Sequence, residues 1–321
     1  MQLPRRRFLC LAAGAAAVSL GASAQTYPAR PLRCIVGYAP GGGTDIFVRL
    51  VGQLLPARLG QPFIIENRPG ASSNIATEAV IRSPADGYTL LGTDAASAIN
   101  ASLYDNLNFN FVRDIAVVGM SRGPLVVVVN PSVQVKTISE FIAYAKAYPG
   151  KIAMASAGSG STTHLAGELF KAMAGIEITH VPYRGGGPAT TDLLGGQVQV
   201  MFAALPTSIE HIRSGKLRAL AVTTATRFEA LSDLPAVGDF VPGYEASQWW
   251  AIGLRKSTPT PIVEKLNKEI SAILSDPRIK PRLVDLGSEM FAGSPADFEA
   301  FLANDTAKWA KVVKFSGAKP E

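Results

Sequence analysis

Cysteine is nearly missing: Cys10 and Cys34 are the only two in 321 residues. Cys10 lies in a leader-like N-terminal stretch, so Cys34 stands alone, no disulfide framework is available, and its apolar surroundings mark it as a small buried hydrophobe. Histidine is scarce too, with His164, His180 and His211 apart in sequence. No Cys, His or carboxylate cluster has metal-ligand spacing, so neither a metal nor a cofactor is expected. Charge of one sign is also lacking: 31 Lys plus Arg against 25 Asp plus Glu leave +6, falling to +3 without Arg5, Arg6 and Arg7. That excludes a nucleic-acid partner, which needs a concentrated basic face, and is compatible with small anionic ligands. Beyond the first 24 residues no apolar run free of Gly, Pro and charge reaches the length of a membrane-spanning helix. Internal repeats and low-complexity blocks are missing as well.

What is present begins with Arg5-Arg6-Arg7-Phe8-Leu9, an Ala/Gly-rich apolar stretch to Leu20, and Ala22-Ser23-Ala24 before Gln25. This is the pattern of a signal peptide cleaved after Ala24. The paired arginines followed by Phe-Leu point to twin-arginine export, with a general secretory signal as the alternative, and either route ends in the periplasm. A chain of this length exceeds what one core organises well, so two domains are expected. Apolar runs alternate with stretches of helical period: Leu32 to Tyr38 precedes Ile46, Leu50, Val51, Leu54 and Leu55, and the rhythm continues to Arg218 to Thr223. Such alternation predicts an α/β fold with mainly parallel sheets. Helical patterns at Ile262 to Leu274 and Ala296 to Lys314 close the chain.

Two strand-to-helix joints stand out: Ala39-Pro40-Gly41-Gly42-Gly43-Thr44-Asp45 and the run from Ala155 through Gly158, Gly160 and Thr163 to His164. Glycines let backbone amides converge, and a helix N-terminus adds unpaired N–H groups and partial positive charge, so each joint is a candidate anion cradle. The alternative is a pair of ordinary capped turns. Neither joint has the Lys of a phosphate-binding loop, the last Gly of a dinucleotide fingerprint or a G-x-S-x-G elbow. Ser161 and His164 are three apart but lack a nearby carboxylate to orient the imidazole, so an enzyme is not expected.

Several stretches carry a resemblance: Tyr38 to Asp45; Ile65-Glu66-Asn67-Arg68-Pro69-Gly70-Ala71 with Asn74-Ile75-Ala76; Ala85-Asp86-Gly87-Tyr88; Tyr148-Pro149-Gly150-Lys151; His180-Val181-Pro182-Tyr183-Arg184-Gly185-Gly186; and Asp192-Leu193-Leu194-Gly195-Gly196-Gln197. In this order, and over nearly the whole mature chain, they resemble the Bug family, the periplasmic solute receptors of tripartite tricarboxylate transporters. The resemblance implies a type II periplasmic-binding-protein fold, with two α/β lobes and a ligand cleft between them. Lobe I would comprise 25–123 and 249–321, and lobe II 124–248, with crossings near Gly123-Pro124 and Gln248-Trp249. It also implies a monomer that captures a small mono- or dicarboxylate and hands it to transporter membrane subunits. A ligand-dependent sensor partner and, less so, a carboxylate-processing enzyme are the alternatives. The candidate ligand-binding residues are Tyr38, Gly42, Gly43, Thr44 and Asp45 at the first joint, then Ser97, then Ser156, Gly158, Ser159, Ser161, Thr162 and His164 at the second, with Tyr183 and Phe202. Asp45 also suits a helix-end role, favourable with the dipole. His180 and His211 are read as structural. The chain departs from the family's pattern at Ala203-Ala204, where members often carry an acid or amide, and at Thr93-Asp94-Ala95-Ala96-Ser97. Asp94 would repel a second carboxylate, or accept from a hydroxyl, if it faced the cleft. Trp249-Trp250 are expected to pack at the crossing.

Overall fold

The computed structural model describes residues 27–228, 231–285 and 287–319. The signal segment 1–24 and its cleavage point lie outside the described residues. Strand β1 (Leu32–Val36) is the apolar run read above, with only Arg33 exposed. Helix α1 (Gly43–Gly52) follows, burying Phe47, Val48, Leu50 and Val51. Short α2 (Leu55–Leu59) stops at Gly60, whose φ of 72° is the left-handed turn that glycine permits. Next come β2 (Phe63–Asn67), α3 (Asn74–Ile81), β3 (Thr89–Asp94), α4 (Ala96–Leu103), α5 (Phe111–Asp114) and the long β4 (Ile115–Val129). The second half runs α6 (Ile138–Ala147), β5 (Ala153–Ser156), α7 (Thr162–Ala174), β6 (Thr179–Pro182), α8 (Gly186–Leu194), β7 (Val200–Ala204), α9 (Leu205–Arg213) and β8 (Arg218–Val222). It ends with β9 (Ser247–Arg255), α10 (Thr260–Leu274), α11 (Lys280–Asp285), β10 (Glu289–Phe291) and α12 (Pro295–Ser316).

The strand order is β2-β1-β3-β9-β4-β7-β5-β6, with β8 and β10 both on β4. Pairs β1–β2, β1–β3, β5–β6 and β5–β7 are parallel, as the alternation predicts. Every pair involving β4 or β9 is antiparallel, which the sequence pattern did not predict. The cause is topological: β4 carries the chain out of the first group of strands, β9 carries it back, and two such strands must run in opposite directions. Residues 115–124 of β4 pair with β9, and 125–129 pair with β7 and β8. Pro124 has no N–H to give at that change of partners. Just beyond it, the Leu125 N–H donates to Thr223 Oγ1 at 2.9 Å, and the Thr223 hydroxyl lies 2.6 Å from the Ala246 carbonyl. One buried hydroxyl therefore ties the outgoing strand to the segment that leads back.

Helix α12 packs on α4, β4 and α7. Its apolar face buries Phe298, Leu302 and Trp309, and Asp305 accepts from the Trp249 indole N–H at 2.7 Å. Trp249 is thus a core residue at the crossing.

Candidate functional site

The first glycine-rich joint leads from β1 into α1. Gly42 caps α1 without a side-chain hydrogen bond, so the first-turn N–H groups at Gly43 and Thr44 have no partner within the helix. Asp45 sits behind the joint: it accepts from the Gly41 N–H (2.9 Å), Arg49 Nε (2.8 Å) and Asn67 Nδ2 (2.9 Å). Burial raises its pKa, but the bonds to Arg49, Gly41 and Asn67 outweigh burial and hold the carboxyl below its usual range.

The second joint uses most of its amides internally. Ala157 N–H donates to Thr163 Oγ1 (2.8 Å), Gly158 N–H to Ser156 Oγ (3.1 Å), Gly160 N–H to His164 Nδ1 (3.1 Å) and Ser161 N–H to the Gly158 carbonyl (3.0 Å). The N–H groups left over among the described residues are that of Ser159 in the loop and those of Thr162 and Thr163 in the first turn of α7. The glycines here shape the chain path. Gly160 has φ 81°, and a Cβ on it would come within 2.5 Å of Leu103 and 2.9 Å of Asn100 on α4.

His164 and His180 stack behind this joint, ring centroids 3.9 Å apart and 14° from parallel. His180 Nε2 lies 2.6 Å from Ser156 Oγ. Burial, then His180 and Lys171, pushes His164 down to about 3, and burial, then Lys171, pushes His180 down to about 4. Both imidazoles are neutral near pH 7. They brace the loop, and no hydrogen bond joins the His164 ring to Ser161.

Where the two joints meet there is a cavity of about 20 Å³, walled by Tyr38 and Gly42 to Thr44 on one side and by Ala157 and Ser161 to Thr163 on the other. Asp94, Gly186, Met201, Ala204, Gln248 and Trp250 complete it. The buried Asp94 carboxylate accepts from Tyr38 OH (2.9 Å), Thr44 Oγ1 (3.1 Å), the Ala96 N–H (3.1 Å) and Gln248 Nε2 (3.4 Å). Burial pushes Asp94 up to about 6 against these donors. Two buried side-chain atoms on this wall, Thr162 Oγ1 and Gln248 Oε1, have no partner among the described residues.

A second cavity of about 260 Å³ shares Tyr38 and Ala157 with the first. Gly158, Ser159 and Tyr183 line it, together with Ser72, Tyr104 and Arg184. Tyr183 donates to Asp192 at 2.7 Å; burial and then Asp192 push its phenol up to about 12. Around these cavities the two halves touch directly. The Ala39 N–H donates to the Arg184 carbonyl at 3.0 Å, and the Ser72 hydroxyl donates to the Ser159 carbonyl. A Cβ on Gly187 would lie 2.7 Å from the Pro40 carbonyl.

Of the candidates, Tyr38, Gly42, Gly43, Thr44, Ser161 and Thr162 border the small cavity, and Tyr38, Gly158, Ser159 and Tyr183 the larger one. Five border neither. Asp45, Ser156 and His164 brace the joints from behind; Ser97 is buried against Thr93 Oγ1 at 2.6 Å; and Phe202 packs in the core, 5.3 Å from Phe170 between ring centroids. Gln248, Ser72 and Arg184 were missed, and Trp250 was expected only to pack. Gln248 and Trp250 are two apart on β9 and share a face, so the period of two was the available signal. Among the described residues no group of His, Cys, Asp and Glu is placed to hold a metal.

Comparison with known proteins agrees with this architecture. A family model described as the tripartite tricarboxylate transporter family receptor matches residues 47–317. Protein BugT of Bordetella pertussis is 38% identical over 308 residues, covering 95% of this chain and 94% of its own. The R. palustris protein Rpa4515, solved with adipate, is 37% identical with a TM-score of 0.89, covering 92% of this chain and 100% of that one. MatC from Rhodopseudomonas palustris, solved with bound malate, is 28% identical with a TM-score of 0.85, covering 89% and 100%. The type II periplasmic-binding-protein fold expected from the sequence, two α/β lobes around a cleft, is the fold observed.

Proposed function

We propose that this chain, which belongs to the tripartite tricarboxylate transporter receptor family, captures a small organic acid by its carboxylate in the cleft between the two joints. One observation carries the reading. Two helix N-termini from different halves of the chain, and the unpartnered Thr162 hydroxyl, converge on one small cavity. Unpaired N–H groups and the helix dipoles favour an anion there, and charge-assisted hydrogen bonds to a carboxylate are stronger than neutral ones. The adipate and malate held by two solved relatives support the ligand class.

In this reading 25–123 with 249–321 forms lobe I and 124–248 forms lobe II. The exchange of β4 partners at Pro124, and the start of β9 at Ser247, support those limits. A ligand that binds both lobes favours the closed state by its differential affinity, so closure and capture are one event. The protein acts in the periplasm after removal of residues 1–24, binds without turnover as a monomer, and delivers its ligand to the transporter's membrane subunits. No described helix is long and apolar enough to cross a membrane.

A thermal-shift panel of mono- and dicarboxylates tests the reading. An acid present at 100 times its Kd adds about 2.7 kcal/mol of apparent stability and is recovered unchanged. A panel in which no acid raises the melting temperature, or one in which an acid is consumed, contradicts it.

A further inference from the structure

Among the described residues the small cavity between the joints is lined by two ionisable side chains, Tyr38 and Asp94, and by no Lys, Arg or His. Three of the four donors to the Asp94 carboxylate, Tyr38, Thr44 and Gln248, are themselves wall residues of the cavity, so the carboxylate is caged in its wall. A volume of about 20 Å³ holds one small polar group. An anionic group placed there stands beside the Asp94 carboxylate, and two carboxylates that share a site repel until one of them takes a proton.

No neighbouring element supplies a cation to such a pair. From α1, Thr44 faces Asp94, while Asp45 and Arg49 turn to each other and to Asn67. Helix α4 offers the Ala96 N–H, and β9 offers Gln248 and the uncharged Trp250. Across the cavity stand Ser161, Thr162 and Thr163, and the His164 ring behind them accepts from the Gly160 N–H and stacks on His180. Burial, then Asp94 and Tyr104, hold the Tyr38 phenol well above its ordinary value, so it stays uncharged. The two imidazoles, at about 3 and about 4, are neutral as well, which leaves Asp94, at about 6, as the group that changes charge near neutrality. The Gln248 amide is only half used: Nε2 lies 3.4 Å from Asp94 Oδ2, and the buried Oε1 has no partner among the described residues. Turned over, the same amide brings Oε1 to Asp94 to accept from a protonated carboxyl, and puts Nε2 on the wall as a donor.

We propose that a ligand carboxylate enters the small cavity together with one proton, which adds to Asp94, and that the Gln248 amide turns over to accept from the new hydroxyl. The proton comes from solvent and forms an O–H bond on Asp94, and no other covalent bond is made or broken. This rests on the carboxylate-capture reading above and gives Asp94 and Gln248 their parts in the same site. By linkage, capture is strongest where free Asp94 already holds its proton, below about pH 6, and the ligand is still ionised, above about pH 5. At higher pH it weakens by up to about tenfold per pH unit for as long as bound Asp94 stays protonated.

Titration calorimetry on the full mature protein tests this, with butyrate, malate and adipate as probes, in two buffers of different ionisation heat at about pH 7.5. The probe that binds most tightly should do so with uptake of close to one proton, and its Kd should rise about tenfold or more between about pH 6 and about pH 8. Asp94→Asn, neutral at every pH, should take up none, hold its Kd within about twofold over that range and bind tighter than the wild type at about pH 8. Gln248→Met removes the amide that favours ionised Asp94 in the free site and protonated Asp94 in the filled one, so its uptake should be smaller. A ligand-free melt shows whether each variant is folded, and the uptake by the wild type reads the proposal without them. Binding by the wild type with no uptake and a flat Kd overturns the role of Asp94 and leaves carboxylate capture standing. A folded Asp94→Asn that keeps the uptake, or that binds more weakly than the wild type at about pH 8, does the same. Unchanged uptake in Gln248→Met overturns the turn of the amide. A wild type that binds none of the three acids overturns both readings.

Discussion

Gly42 faces the Gly186 turn in the second half of the chain, and a pair of substitutions there separates closure from folding. Its φ of −78° and ψ of 163° are open to any residue. A Cβ on Gly42 would stand 3.5 Å from the Gly186 N–H and 3.6 Å from the Ala39 carbonyl, which is ordinary contact. Gly42→Ala should therefore close and bind nearly as the wild type does. Gly42→Val adds two methyl groups beyond that Cβ, between the Gly186 turn and the small cavity, and is expected to push the joint and the turn apart. The contacts then lost include Ala39 to Arg184 and Ser72 to Ser159. At about 0.5–1.5 kcal/mol net for each hydrogen bond, the loss is about 1–3 kcal/mol, or roughly 5- to 150-fold in affinity. Valine is a poorer N-cap than glycine, so the ligand-free melting temperature should drop by only a few degrees. Calorimetry with the acid that gives the largest thermal shift, a ligand-free melt and solution scattering complete the assay. The wild type and Gly42→Ala should contract on binding, and Gly42→Val should not. Val bound within twofold of wild type, or Ala as damaging as Val, would refute the argument that close approach at this glycine limits capture.

Further outcomes follow from particular side chains. Thr162→Val removes an unpartnered buried hydroxyl while keeping its volume, so ligand-free stability should hold or rise while affinity falls by about 0.5–1.5 kcal/mol, read by a melt and a titration. Phe202→Leu should lower the melting temperature through lost packing on Phe170 and leave affinity unchanged, since Phe202 borders neither cavity. Asp94 sits at about 6 against 3.8 in an open chain, so the stability linked to it is full below pH 3.8 and is lost as pH rises to about 6. Between those limits denaturant unfolding should show the wild type losing up to about 3 kcal/mol relative to Asp94→Asn. His164 has the opposite sign: held near 3 against 6.5, it stabilises above pH 6.5 and loses that stability as pH falls toward 3. His164→Asn, which can still accept from the Gly160 N–H, should flatten that acid limb.

Much of the fold was legible because local pattern and burial agree. The helix expected at Ile262 to Leu274 is Thr260–Leu274, and the one at Ala296 to Lys314 is Pro295–Ser316, opened by a capping box between Ser294 and Asp297. Gly119, Gly123 and Pro124 look like strand breakers in the sequence, yet they lie inside β4, a strand whose neighbours change along its length. Helix α4 gives no readable 3.6-residue stripe, because its residues are buried nearly all round. At the site, the glycines signalled the two joints but not which amides remain free. That depends on Ser156, Thr163 and His164 bonding back into their own loop. The His164–His180 stack and the bond from the Ala39 N–H to the Arg184 carbonyl arise from chain segments brought together by folding, and no spacing announces them.

The central claim, that a charged carboxylate is held between two helix N-termini, is tested most directly by titrating the best-bound acid and the derivative in which its gripped carboxyl is a primary amide. The amide has nearly the same shape but lacks the charge that the first turns of α1 and α7 favour. The account predicts that the acid binds at least about tenfold tighter than the amide, an advantage of about 1.4 kcal/mol or more. Equal affinity for acid and amide would contradict it.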